Sequence, residues 1–200
     1  MSALGTSGTD GEVTFSHRTL TGPHNRLVFW VCVATSCFHL WSNTLGVLPE
    51  LQRNAIHYGL ILFVAYLLYP SARGRNGSLV LDYGLAILST LAAIYLILFE
   101  ADLHARNQVP LIRDLIVASL ALLLLLEITR RTTGWFIPSL AVLFLTYATV
   151  WGKFASGMWL FPGVSVERIL YRMYFAPDGM FGTIATVSST FVAMFVLFGA

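Results

Sequence analysis

Long apolar runs alternate with short polar segments along the 200 residues of this chain. Six runs approach the roughly 20 residues that a helix needs to cross the hydrocarbon core of a bilayer, which is about 30 Å thick. Because the runs are continuous and do not alternate with polar residues, they favour helices over barrel strands. The pattern predicts an all-α integral membrane protein with about six transmembrane helices. The runs cover residues 27–48, 55–69 (with a start as early as 51), 79–99, 111–128, 135–151 and 181–200.

The segment between the fifth and sixth runs has a different pattern. Apolar residues recur there at the spacing of one helix face, with arginines on the other: Val166, Ile169, Leu170, Met173 and Tyr174 against Arg168 and Arg172. This spacing predicts one amphipathic helix, capped by Ser165 and stopped by Pro177–Gly179. The segment is too short and too charged to span, so we expect it to lie along the membrane surface or to pack on another domain.

Two loops and the N-terminal tail are purely basic near the membrane, apart from Asp10 and Glu12 far upstream, and they predict the orientation. Their arginines are Arg18 and Arg26 before the first run, Arg73 and Arg75 after the second, and Arg130 and Arg131 in a tight turn after the fourth. The other loops mix acidic and basic residues. The positive-inside rule therefore places the N-terminus in the cytoplasm, with residues 1–26 as a disordered cytoplasmic tail. The amphipathic helix then falls on the periplasmic side.

The composition supports the membrane class. Hydrophobic residues make up 56% of the chain and charged residues only 11%, whereas soluble domains have about 25% charged residues. The net charge of +2 comes from scattered side chains, so no nucleic-acid partner is expected. No nucleophile motif, phosphate loop or metal-ligand spacing is found, and we expect neither an enzyme nor a bound cofactor.

A few polar residues within the runs are candidates for chemistry. His39 lies near the centre of the first predicted span, with Asn43 one turn later. Thr186, Ser188 and Ser189 form a hydroxyl-rich start to the sixth span. These side chains could contact a substrate or an ion, and His39 could relay a proton. Interhelical hydrogen bonds and close helix packing are the simpler interpretation.

Ionisable residues near the ends of spans have a structural explanation. Asp82 and Glu127 are expected to reach the membrane interface, and Glu127 has the favourable spacing to pair with Arg131. A haem would need histidines from two facing helices at matching depth. His39 is expected mid-span and His57 near the outer interface, so their depths should not match. A stand-alone membrane anchor subunit of a respiratory redox complex remains the alternative function.

Several segments resemble a known family of carriers. They are QRNAIHYGLILFVAYLLYP (52–70), LDYGLAIL (81–88), EITRRTTGWFIPSLAVLFLTY (127–147), SVERILYRMYFAPDGMFG (165–182) and VSSTFVAMFVLFGA (187–200). Together they resemble the fused permease of tripartite ATP-independent periplasmic (TRAP) transporters, in the type that pairs with a TAXI binding protein.

The resemblance implies a division into domains. Residues 27–133 would form the four-helix small (Q-like) membrane domain. Residues 134–200 would supply a connecting helix, the amphipathic helix and the first helix of the large (M-like) transport domain. The chain ends in an apolar segment without a polar anchor, so we expect the protein to continue beyond Ala200. The substrate and ion sites are then expected downstream, and residues 1–200 alone should not transport.

The resemblance also implies a function and partners. The complete protein would sit in a bacterial inner membrane and couple sodium entry to the uptake of an organic acid. A periplasmic binding protein of the TAXI type would deliver the substrate. It would dock through the Pro49–Asn54 and Glu100–Pro110 loops and the Ser165–Phe175 helix, while the lipid bilayer and the rest of the transport domain would be the other partners.

Overall fold

The computed structural model describes residues 18, 20–71, 78–106, 109–176 and 178–199. Every regular element in these ranges is helical, and none of the described residues forms a strand, which confirms the all-α prediction. Most of the predicted N-terminal tail lies outside the described residues, as do Arg73, Arg75, Pro177 and Ala200.

The helices follow the predicted order. They are α1 Pro23–Thr44, α2 Glu50–Leu68, α3 Leu79–Ala105, α4 Ile112–Thr133, α5 Phe136–Thr146, α6 Val166–Phe175, α7 Thr183–Val187 and α8 Ala193–Gly199. A π-helical turn, Tyr147–Trp151, and a 3₁₀ turn, Gly152–Phe154, extend α5, and a second 3₁₀ turn spans Gly157–Trp159. Another π-helical turn, Ser188–Val192, joins α7 to α8, so that Thr183–Gly199 is one distorted helical segment.

The ends of α3 and α4 differ from the prediction. Helix α4 continues to Thr133, so the arginines predicted in a tight turn occupy its last turn, and Gly134 ends the helix with a φ of 80°. Helix α3 continues to Ala105, so Glu100 is helical and does not start a loop. The predicted helix ends were wrong because hydropathy marks only the apolar part of a helix. Glu, Arg and Ala are good helix formers in water, so both helices continue beyond their apolar parts.

The first two helices are also shifted. Helix α1 starts at Pro23, a residue favoured in a first turn, and ends at Thr44. Helix α2 starts at Glu50, so the predicted Pro49–Asn54 loop is largely the beginning of this helix. The acidic side chain of Glu50 suits the positive end of the helix dipole.

Small residues bring the central helices close together. Gly59 of α2 faces α3 so closely that an added Cβ would lie 3.2 Å from the Cβ of Ala93. Fully or almost fully buried alanines continue this contact: Ala55 on α2, Ala86 and Ala92 on α3, and Ala118 and Ala121 on α4. Close approach through small residues is the usual way in which membrane helices gain van der Waals contact.

Helix α6 is confirmed as amphipathic and packs on this bundle. Its Tyr174 and Phe175 are buried, and the Tyr174 hydroxyl donates a hydrogen bond to the carbonyl of Ala92. Ser165 precedes the helix as predicted but makes no capping hydrogen bond through its side chain. The apolar face of α6 thus contacts protein, while its arginines are exposed.

Ionic clusters are found at both ends of the bundle. The Asp82 side chain is fully buried and pairs with Arg131 at 2.7 Å and with Arg18 at 2.8 Å. Arg131 also pairs with Glu127 at 2.8 Å, which confirms the predicted helical pair. Asp82 is therefore enclosed by protein at one end of the bundle.

The second cluster lies at the opposite end, around the start of α4. The Asp114 carboxylate accepts hydrogen bonds from the Leu111 backbone N–H, from Arg106 and from the Tyr95 hydroxyl. Asp114 is buried, so these partners satisfy a carboxylate that water does not reach.

Two helices among the described residues are long and apolar enough to cross a membrane. They are Leu79–Ala105 with a mean hydropathy of 2.0 and Phe136–Phe154 with 1.3, and Thr183–Gly199 is a shorter apolar helix. Helices α1, α2 and α4 have 22, 19 and 22 residues but carry polar or charged side chains near their ends. Much of the outer surface is apolar, including exposed Phe29, Trp30, Phe136, Phe144 and Phe195.

Candidate functional site

The structure brings the five predicted polar candidates into one layer, where α1, α2 and the segment 183–199 meet. Asn43 donates a hydrogen bond from Nδ2 to the carbonyl of Ser189 at 3.0 Å. The Ser189 hydroxyl donates in turn to Oδ1 of Asn54 at 2.8 Å. These contacts join three helical segments through side chains that sequence reasoning had found separately.

Asn54 is the centre of this layer. Its side chain is fully buried, and its Nδ2 donates to the carbonyl of Phe181 at 2.7 Å and to Oγ1 of Thr186 at 2.8 Å. The Thr186 hydroxyl is also hydrogen-bonded to the carboxylate of Glu50. A buried amide with all these partners fixes the rotation of the segment 183–199 against α2, because turning either helix would leave polar atoms unpaired.

A second chain of hydrogen bonds links His39, His57 and Ser188. Nε2 of His39 lies 3.0 Å from Nδ1 of His57, and Nε2 of His57 lies 3.1 Å from Oγ of Ser188. His39 is 3% exposed. The predicted mismatch in depth between the two histidines is therefore wrong. Helix α1 ends at Thr44, which moves His39 from mid-span towards the outer end, and α2 starts early enough to place His57 beside it.

The helical distortion coincides with this site. The π-helical turn starts at Ser188 and includes Ser189, the two residues that bond to α1 and α2. The side-chain amide of Asn43, on α1, donates a hydrogen bond to the carbonyl of Ser189 within this π turn. Single π turns within α-helices are frequent at functional sites, so the distortion distinguishes this layer from ordinary helix packing.

A cavity of about 420 Å³ lies directly against the histidine chain. Its polar lining is concentrated on α1 and at one end, whereas the walls from α2 and α8 are mostly apolar. The lining residues are Cys32, Thr35, Ser36, His39, His57, Ile61, Val64, Ala65, Leu68, Tyr69, Ser188, Val192, Ala193, Val196 and Leu197. None of these fifteen side chains carries a fixed charge.

Sequence reasoning missed Asn54 and did not connect His57 to the others. Asn54 had been assigned to the loop before the second run, and His57 to the outer end of that span, away from the depth expected for His39. A signal was present, because Asn54 and His57 are three residues apart and therefore share a helix face. That face meets Ser188 and Ser189 only when the last helix packs on α2, which no local pattern indicates.

Within the described residues, no group of three or more His, Cys, Asp or Glu side chains could hold a metal ion. The two cysteines are free.

No protein-family model, curated protein or solved structure matches this chain.

Proposed function

We propose that this chain is the N-terminal part of the membrane permease of a TRAP transporter. The complete protein would carry out sodium-coupled uptake of an organic acid delivered by a TAXI-type periplasmic binding protein. Residues 27–133 would form the small domain and residues 134–200 the opening helices of the transport domain. The protein would be a multi-pass carrier of a bacterial inner membrane, with a cytoplasmic N-terminus and no catalytic role.

The observation that carries this proposal is that the segments bearing the resemblance contact one another. Asp82 of LDYGLAIL pairs with Arg131 of EITRR. Asn54 and His57, both in QRNAIHYG, bond to the serines of VSST. Residues chosen for family likeness thus build the interhelical contacts, as expected if they specify this arrangement of helices.

The spacing of polar groups supports the membrane part of the proposal. Asp82 and Glu100 on α3 are 18 residues apart, or about 27 Å at 1.5 Å per residue. This distance is close to the hydrocarbon thickness of about 30 Å. The face between them exposes large apolar side chains such as Leu91, Ile94 and Leu98. Soluble proteins rarely expose apolar patches of this extent.

A transport assay tests the proposal directly. The native permease, purified from its membrane through a tag at Met1, is reconstituted in proteoliposomes together with its periplasmic receptor. We expect uptake of the organic acid that the receptor binds, and only with both an inward sodium gradient and the receptor present. A potassium gradient of equal size is the control.

Two outcomes would contradict the proposal. Uptake that persists without the receptor, or that ignores the sodium gradient, would remove the tripartite mechanism. A stoichiometric haem Soret band in the same preparation would favour the redox-anchor alternative, which places a His pair between facing helices.

A further inference from the structure

The cavity beside His39, His57 and Ser188 has the two-part lining that a ligand with a polar head and an apolar tail requires. Imidazoles and a hydroxyl lie at one end, and aliphatic side chains of α2 and α8 form the walls. The volume of about 420 Å³ falls within the usual range for small-molecule sites, about 300–1,000 Å³. Size and polarity therefore favour a single-chain amphiphile.

The charges around the polar end indicate the sign of the head. No carboxylate lines the cavity, so an ammonium head would find no counter-ion there. Arg53 precedes His57 by one turn on the same face of α2, and its buried Nε has no hydrogen-bond partner among the described residues. Glu50, the nearest acidic residue of this layer, bonds to Thr186, which is not part of the lining. Nδ1 of His39, which does line the cavity, is likewise buried without a hydrogen-bond partner among the described residues, so an anionic acceptor at this end would meet an unpaired imidazole nitrogen near a cation.

The connectivity Ser188–His57–His39 also resembles a nucleophile, a base and an orienting group. Acyl transfer would further need a pair of free donors for an oxyanion. The backbone N–H of Ser188 is already bonded within the helix, to the carbonyls of Ile184 and Ala185. The geometry therefore favours a binding role for this cavity over attack by Ser188.

We propose that this cavity binds a single-chain anionic amphiphile, such as a fatty acid. The head would accept a hydrogen bond from Nδ1 of His39, whose ring is oriented by His57 and Ser188, and the tail would lie along Val64, Leu68 and Val196. The guanidinium of Arg53, one helical turn from His57, would compensate the charge of the head, since a buried anion is stable only when it is paired. Binding at this site does not depend on the transport function proposed above.

The two native cysteines provide a matched test. Cys32 lines the cavity, whereas Cys37 on the same helix does not, and both are exposed. The full chain in nanodiscs of zwitterionic lipid is alkylated with a maleimide, using Cys37→Ser to report on Cys32 and Cys32→Ser to report on Cys37. Decanoate at ten times its Kd should slow alkylation of Cys32 about tenfold, by mass action, and leave Cys37 unchanged. Decanol and decylammonium should protect neither.

Variants identify the head-binding residues. His57→Gln and Ser188→Ala should abolish protection of Cys32 by decanoate, while His104→Gln at the exposed end of α3 should preserve it. If His57→Gln changes the alkylation rate of Cys32 even without ligand, the loss of protection is judged from Ser188→Ala alone. Absence of protection, equal protection by decanol, or full protection in both head variants would overturn the proposal.

Discussion

The buried side chains of Asp82, Asp114 and Arg131 each have more than one polar partner. Arg131 is 2% exposed and contacts two carboxylates, those of Asp82 and Glu127, as well as the carbonyl of Tyr69. Its guanidinium also lies over the ring of Tyr66, 5.0 Å from the centroid. Such a cluster is stable only when complete, because removing one member leaves a charge without water or a counter-ion.

Replacing Asp82 by Asn should therefore be strongly destabilising. The change leaves Arg131 with a weaker acceptor in a buried position, and breaking a buried pair costs about 3–5 kcal/mol. Asp178→Asn is the matched control, since its partner Arg172 is 65% exposed and exposed pairs contribute about 0–1 kcal/mol. Thermal unfolding in detergent measures both variants, and equal effects would contradict a structural role for the Asp82 cluster.

The buried side chain of Asn54 allows a similar test of uncharged hydrogen-bonding groups. Asn54→Ala removes hydrogen bonds to Phe181, Thr186 and Ser189. Interhelical hydrogen bonds in membranes contribute about 0.6 kcal/mol each on average, so the three together should contribute about 2 kcal/mol. The exposed Asn25 serves as the control through Asn25→Ala. A double-mutant cycle with Ser189→Ala isolates the shared bond, and additive effects would show that this bond contributes nothing.

At the scale of elements, apolar continuity was sufficient to predict each long helix but not its ends. The arginines of α4 remain helical because Glu127 pairs with both of them, at 2.7 Å to Arg130 and 2.8 Å to Arg131. The π turn at Ser188 could not be predicted, because it depends on amides that α1 and α2 supply. Local patterns thus identify what a segment buries, whereas its distortions depend on its neighbours.

The same distinction applies to the candidate site. His39, Asn43, Thr186, Ser188 and Ser189 were recognisable because polar residues in apolar runs are conspicuous. The place where these side chains meet was not recognisable from the sequence. The depth of His39 depends on where α1 starts, and α1 starts at Pro23, before the apolar run begins. An error of four residues in a helix boundary corresponds to about 6 Å along the axis, enough to separate two histidines that in fact are hydrogen-bonded.

Helix α6 should depend strongly on Tyr174, one of its two buried side chains, for its position. Tyr174 is 1% exposed and contacts Phe175 and Phe181 edge-on. Tyr174→Ala should remove this anchor and the bond to Ala92, so that amides 166–175 exchange at least about tenfold faster, the effect of losing roughly 1.4 kcal/mol. Val166→Ala, at a position that is 59% exposed, should leave hydrogen–deuterium exchange unchanged. Unchanged exchange in Tyr174→Ala would show that α6 is held from elsewhere.

At the scale of the whole molecule, the polar clusters at opposite ends and the apolar surface between them define a direction across a bilayer. If every long helix crosses, the connections must alternate between the two sides. The proposal of a cytoplasmic N-terminus and α4–α5 turn rests on the arginines that flank alternate helices. Under this proposal, the loop after α5, with its exposed Met158 and Trp159, would lie on the periplasmic side.

Cysteine mapping of the full chain in intact cells tests this topology, with Cys32 and Cys37 replaced by Ser. Single cysteines are placed at Thr21, Val47, Ser71, Val109, Thr133 and Met158, one for each successive connection. We expect a membrane-impermeant maleimide to label the sites at Val47, Val109 and Met158, because they face the periplasm. Those at Thr21, Ser71 and Thr133 should react only after permeabilisation. Thr133 and Met158 are the decisive pair, since they flank the most apolar part of α5. Labelling of both from the same side would mean that α5 does not cross, and the proposed arrangement of six spans would fail with it.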